Sequence, residues 1–139
     1  MLAENTVLTG RRAITRSYAK INLTLDVLSK RENGYHDIKM IMQTVSLFDL
    51  ILVDKTHRGI SISTNLPYLP CNEKNIAYKA ADAFFKATGI RGGAKIVIHK
   101  NIPVAAGLAG GSGNCAAVLT AMNMLHGNPL SNDELMHIG

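Results

Sequence analysis

The segment best suited to hold an anion is Pro103-Val104-Ala105-Ala106-Gly107-Leu108-Ala109-Gly110-Gly111-Ser112-Gly113-Asn114. Residues without a Cβ let the backbone approach a ligand closely and adopt positive φ. The β-branched run Ile96-Val97-Ile98 that precedes it favours a strand, and apolar residues recur at helical spacing from Cys115 to Leu125. The glycines therefore lie where a strand hands over to a helix N-terminus, whose first N–H groups lack internal acceptors and carry partial positive charge. Phosphate is the anion such a place most often holds. A second candidate is Lys20. Ala19, Ile21, Leu23, Leu25 and Val27 alternate with Lys20, Asn22, Thr24 and Asp26, so a strand sets Lys20 and Asn22 side by side on its polar face. An ordinary surface strand has the same alternation. Third, the turn signal Asn33-Gly34 is followed by Tyr35 and His36. These are either a cross-strand packing aromatic and a solvated turn residue, or a ring and a polar neighbour that hold a planar base.

The elements that must position these residues follow from pattern. Met1 to Gly10 has no usable period, and residues 1–15 are read as a poorly ordered N-terminal extension. Asn33-Gly34 predicts a two-residue hairpin turn with positive φ at both positions. Asp37 to Leu47 fits strand or helix and is read as strand, while Asp49 to Val53 and Gly59 to Thr64 form a predicted hairpin across Thr56-His57-Arg58-Gly59. A helix is expected from about Lys74 to Thr88, with Gly89 as its C-terminal cap. Another begins after the glycine loop and closes near His126-Gly127. Ser131-Asn132-Asp133-Glu134 is a capping-box sequence that opens a third. That helix has barely begun at Gly139, so the chain reads as cut short.

Commoner glycine motifs fail in this loop. A Walker loop, G-x-x-x-x-G-K-[ST], needs a lysine that does not follow Gly111 or Gly113. The dinucleotide fingerprint G-x-G-x-x-G would need glycine at Ala116, or at Ala109 in the register from Gly107. A nucleophile elbow, G-x-S-x-G, finds Asn114 at its last glycine. What remains, P-x-x-x-G-L-x-G-G-S, resembles the phosphate loop of the GHMP kinases. Ser17-Tyr18-Ala19-Lys20-Ile21-Asn22-Leu23 and Arg31-Glu32-Asn33-Gly34-Tyr35-His36 are similar to the A-K-[IL]-N-L and R-x-D-G-Y-H segments of the 4-diphosphocytidyl-2-C-methyl-D-erythritol kinases within that superfamily.

The resemblance runs from about Arg16 to Gly139 and implies an α+β fold: the GHMP kinase N-terminal domain, similar to a ribosomal-protein domain, with a mixed sheet packed by helices. It implies a domain over residues 16–139 that binds ATP, with the C-terminal GHMP domain absent. The implied reaction is ATP-dependent phosphorylation of a hydroxyl of the cytidine diphosphate conjugate, in non-mevalonate isoprenoid precursor synthesis. Lys20 matches the catalytic lysine, and Asn22, Tyr35 and His36 match positions that bind the substrate. Residues Pro103 to Gly113 would hold the triphosphate, with Ser112 near Mg2+. Asn75 and Lys100 fall near the adenine positions. Gly113 departs from the family, which has a small residue such as serine or alanine there. The family's catalytic aspartate belongs to a G-A-D-[VI]-P segment beyond Gly139, so the isolated chain is expected to be inactive.

Composition narrows the alternatives. The chain of 139 residues has 47% apolar and 18% charged residues, enough for one core. It has no run of eighteen apolar residues and no apolar signal core at its start, which predicts a soluble cytoplasmic protein. Cys71 and Cys115 form no CxxC pair, and the five histidines show no HExxH spacing. The net charge of +5 is compatible with a nucleic-acid-binding module. The basic residues are scattered, however, with few aromatics beside them, and an RNA surface has no need of the glycine loop. A small-molecule substrate is the expected partner, and no membrane contact is expected. The sequence leaves the oligomeric state open.

Overall fold

The computed structural model describes residues 3–30 and 32–139. Five strands form one mixed sheet: β1 (Thr6–Thr9), β2 (Arg12–Lys30), β3 (His36–Thr56), β4 (Gly59–Thr64) and β5 (Gly93–His99), in the order β1-β2-β3-β5-β4. Only the β4/β5 pair is parallel. Three helices complete the fold: α1 (Ile76–Thr88), α2 (Gly110–Leu125) and α3 (Asn132–Ile138). The expected α+β architecture with a mixed sheet packed by helices is what forms.

The core lies between one face of the sheet and the first two helices. Ala13, Ile51, Val53, Ile62, Ala94, Ile96 and Ile98 meet Ala77, Ala80, Ala81 and Phe84 of α1 and Ala117, Val118, Ala121 and Met122 of α2. The small residues on both helices let them come close to the strands. Asn75 caps α1, its side chain accepting from the Ala77 N–H at 2.9 Å, and Gly89 ends it at φ 67°. Ser131 and Glu134 form the reciprocal capping box of α3. Asn123 then holds α3's approach, since its side chain accepts from the Leu130 N–H at 3.0 Å and donates to the Leu130 carbonyl at 2.8 Å.

Several expectations need correction. Residues 3–15 are not an unstructured extension. Thr6–Thr9 pairs antiparallel with β2 from Thr15 back to Arg12, and Ala13 and Thr15 are fully buried. Their polar-apolar mixture hides the strand because one buried polar residue, Thr6, is satisfied by Thr15 Oγ1 at 3.0 Å. Met1 and Leu2 lie outside the described residues. The expected 49–64 hairpin does not form either. β5 is inserted between β3 and β4, and Gly93 makes the insertion possible, because a Cβ there would overlap the Arg58 and Gly59 backbone. β4, α1 and β5 thus form a parallel crossover unit. Asn33-Gly34 is not a two-residue turn: Lys30 pairs with His36, positive φ occurs at Gly34 (85°) but not at Asn33, and Asn33 Oδ1 instead accepts the Tyr35 N–H at 3.2 Å. Finally, α2 starts at Gly110, inside the glycine run.

The outer half of the β2/β3 hairpin projects beyond the body. Its register slips at Tyr18/Lys20, Asn22/Thr24 and Val27/Ser29, bulges that bend the strands. The apolar face read from the alternation is buried only at Ala19. Leu23, Leu25 and Val27 are each more than half exposed, because no helix reaches that far along β2.

Candidate functional site

The path from β5 into α2 is built to leave backbone N–H groups free. Positive φ alternates along it, at Ala105 (59°), Gly107 (71°) and Ala109 (60°) and not at the residues between. Successive residues of opposite hand turn their N–H groups toward one concave side, a nest for anions. Two of the three are alanines, for which this conformation is strained. Ala109 is the residue before the first turn of α2 and makes no side-chain cap. Gly113 N–H donates to the Ala109 carbonyl at 2.8 Å, which leaves the N–H groups of Gly110, Gly111 and Ser112 as first-turn donors without an intrahelical acceptor. Gly111 has nothing within 4 Å of where a Cβ would stand. The backbone there faces open space.

Beside the nest lies a cavity of about 410 Å³. Residues 103–111 form one wall, while Leu69, Pro70, Ile76 and Ile98 give the other an apolar surface. Asn114 also lines it. Asn114 is only 3% exposed and its Oδ1 has no hydrogen-bond partner. Ser17 Oγ, on β2 under Gly113, is likewise buried and unpaired. A buried polar atom without a partner costs about 1–3 kcal/mol, so these atoms mark where a ligand or water would be welcome. A nucleotide suits the site: a run of free backbone amides, an apolar slot, and the unpaired Asn114 Oδ1 in the lining.

Lys20 is brought to the loop. Its N–H donates to the Leu108 carbonyl at 3.2 Å, where the first bulge of the hairpin meets the nest. The Lys20 side chain is exposed, as is Asn22 two residues on. Tyr35 and His36 are not brought there. They sit at the far end of the projecting arm, with Tyr35 74% exposed. Arg31, part of the same motif, lies outside the described residues.

Asn75 and Lys100 line the cavity, but their polar ends serve the fold. Asn75 caps α1 and donates from Nδ2 to the Pro70 carbonyl at 2.7 Å. Lys100 forms a buried ion pair with Asp49. Ser112 Oγ turns away from this cavity, donating to the Ala109 carbonyl at 3.3 Å and bordering a second, apolar cavity with Cys115 and Leu119. Burial pushes the Cys115 thiol above its ordinary pKa. Among the described residues no three of His, Cys, Asp or Glu gather as metal ligands. A magnesium ion held by the protein does not fit this donor set, since such ions are usually bound through carboxylates and substrate phosphates.

Residues 75–139 match the model for the GHMP kinases N terminal domain. Over that segment the chain is similar to a GHMP kinase N-terminal domain. It is 50% identical over 124 residues to the 4-diphosphocytidyl-2-C-methyl-D-erythritol kinase of Clostridium botulinum (strain Alaska E43 / Type E3), covering 89% of this chain and 44% of the relative. It is 51% identical over 127 residues to the enzyme of the same name from Caldicellulosiruptor saccharolyticus, covering 91% and 44%. A crystal structure of a 4-(cytidine 5'-diphospho)-2C-methyl-D-erythritol kinase superposes with a TM-score of 0.79 at 34% identity, over 91% of this chain and 46% of that one. The chain thus spans a little under half the length of these relatives. No helix among the described residues is long and apolar enough to cross a membrane.

The residues that sequence reasoning missed are Asp49, Asn65, Ser17 and Asn114. Asp49 carried one signal, a lone carboxylate at the head of the apolar run Leu50-Ile51-Leu52-Val53.

Proposed function

We propose that this chain supplies the ATP site and the acceptor-side lysine of a kinase that phosphorylates a hydroxyl of 4-diphosphocytidyl-2-C-methyl-D-erythritol, in isoprenoid precursor synthesis. The observation that carries the reading is the Lys20 N–H bond to the Leu108 carbonyl, which joins the A-K-I-N strand to the phosphate loop. Phosphoryl transfer asks a protein mainly for positioning and charge neutralisation. The amides of Gly110, Gly111 and Ser112 and the nest before them would orient the phosphates, and the apolar slot would take the base. The Lys20 ammonium, rooted beside the loop, would offset charge on the transferred group and draw the acceptor hydroxyl toward it. Asn22 would contact the acceptor next to it. Tyr35 and His36, farther along the same bent arm, would hold the cytosine. ATP is the phosphoryl donor, and magnesium would accompany its phosphates. Its coordination would come from the phosphates, since the Ser112 hydroxyl is turned to the Ala109 carbonyl. The protein is proposed to work in the cytoplasm.

Gly111 makes the test sharp. Because nothing stands within 4 Å of its missing Cβ, Gly111→Ala should fold as well as the native chain, or slightly better by helix propensity. The added methyl would occupy the cradle. Titration calorimetry with the non-hydrolysable analogue AMP-PNP should show binding to the native chain, weakened at least about tenfold in Gly111→Ala at an unchanged or raised Tm. Equal affinity in the two chains, or no binding to the native one, would overturn the nucleotide reading.

A further inference from the structure

We propose that Asp49, on β3, is the positioning residue of the phosphate loop. Asp49 is fully buried. Its Oδ1 accepts the N–H groups of Asn101 at 2.7 Å and Ile102 at 2.8 Å, and its Oδ2 accepts from the Lys100 ammonium. Next to it, the Asn101 side chain donates to the Phe48 carbonyl at 2.9 Å. β5 ends at His99, so residues 100–102 are where the chain leaves the sheet and loses its ladder partners. One carboxylate replaces them. Asn65 braces the same point from β4's side, accepting the Lys100 N–H at 2.7 Å and donating to the Lys100 carbonyl at 3.1 Å.

The other end of the loop rests on the same residues. A Cβ on Gly110, the first residue of α2, would lie 2.8 Å from Lys100 Nζ and 3.0 Å from Ile102 Cγ2. Lys100 and Ile102, which Asp49 fixes, are thus the floor beneath the first turn of α2. The point where the loop departs and the point where it re-enters a helix both bear on Asp49, and the nest from 105 to 109 is strung between them. Asp49 also balances the Lys100 ammonium, a buried cation beside a helix end that already carries positive charge. It touches no ligand itself and sets the spacing of the amides that would.

The inference rests on the nucleotide reading of this loop, and its test separates the two. Asp49→Asn keeps the shape and an oxygen for the two amides but leaves Lys100 unpaired, while Asp49→Glu keeps the charge and moves it by one methylene. In the folded variants, amide hydrogen exchange without nucleotide should accelerate at least about tenfold at Lys20 and Gly113, whose N–H groups donate to the loop carbonyls of Leu108 and Ala109, while β4 exchange stays unchanged. The AMP-PNP Kd should rise by roughly 10- to 100-fold, the scale of a small misplacement. A general loss of stability would instead raise exchange in the loop and β4 together and lower Tm, and that outcome overturns the proposal. So does native exchange and native Kd in either folded variant. Should Asp49→Asn fail to fold, Asp49→Glu carries the same two readouts. A native chain that binds no AMP-PNP, with loop exchange still answering to Asp49, overturns the nucleotide function and leaves the anchoring in place.

Discussion

His126 packs against the rings of Phe84 and Phe85, with centroids at 5.5 and 5.9 Å. Burial, and then the charge of Lys55, hold its imidazole below the ordinary pKa of 6.5. In the folded chain the neutral form is kept as pH falls, while the unfolded chain takes up its proton first. Stability from this group is therefore full above 6.5 and declines as pH drops from that value toward the lower folded one. Melting curves should show Tm falling as pH is lowered below 6.5, with that slope absent in His126→Leu. Gly113 gives a second test at this scale. A Cβ there would lie 2.6 Å from Ser17 Oγ but 4.0 Å from Ser17 Cβ. Gly113→Ala alone should gain little or lose stability, because the hydroxyl must move. With Ser17→Ala beside it, the helix gains about 1 kcal/mol of propensity and the unpaired buried hydroxyl disappears. The double variant should melt above the native chain, and a double-mutant cycle by urea titration should report the coupling.

Among the elements, the strand order hangs on one contact. Gly93→Ala would press a methyl into the Arg58 and Gly59 backbone, which no rotamer change relieves. Overpacking of this kind costs about 1–3 kcal/mol or more. The variant should show a strongly lowered urea midpoint, or no cooperative transition, and a Gly93→Ala chain as stable as the native one would refute the steric account. The same contact explains what was legible in the sequence. Helix α1 could be read because its signals are local, an apolar stripe closed by Gly89, whereas its N-terminal cap Asn75 fell inside a helix expected to start at about Lys74. The pairing of β4 with β5 rather than β3 could not, since it depends on which backbone passes over Gly93, about 35 residues from the turn it accommodates. The glycine loop was legible as a candidate anion site because its chemistry lies in one stretch. Its helical first turn was not, because a glycine-rich segment has poor propensity and α2 is held there by packing on Lys100 and Ile102. Asp49 was hidden for the same reason. Its partners are more than fifty residues away.

At the scale of the molecule, the body and the arm differ in what holds them. The body buries its apolar residues between sheet and helices, whereas the arm leaves Leu23, Leu25, Val27, Leu28, Ile41 and Met42 more than half exposed. An isolated two-stranded ribbon is marginal in water, and an exposed apolar surface of this extent invites association. The arm's strands are continuous with the buried halves of β2 and β3, which keeps their root in register. Its tip contributes little to global stability. Replacing Leu25 and Met42 by lysine should therefore leave Tm within about a degree or two, since surface changes usually stay near 0.5 kcal/mol. The same change should reduce binding of the dye ANS and move any associated species toward monomer in sedimentation. A large fall in Tm would mean that the arm is part of the folded core after all. If the cytidine conjugate lies along this arm, substitutions at its exposed apolar positions should weaken that ligand while AMP-PNP binding at the anchored loop is unaffected. Calorimetry on one doubly substituted chain with each ligand in turn separates the two halves of the site.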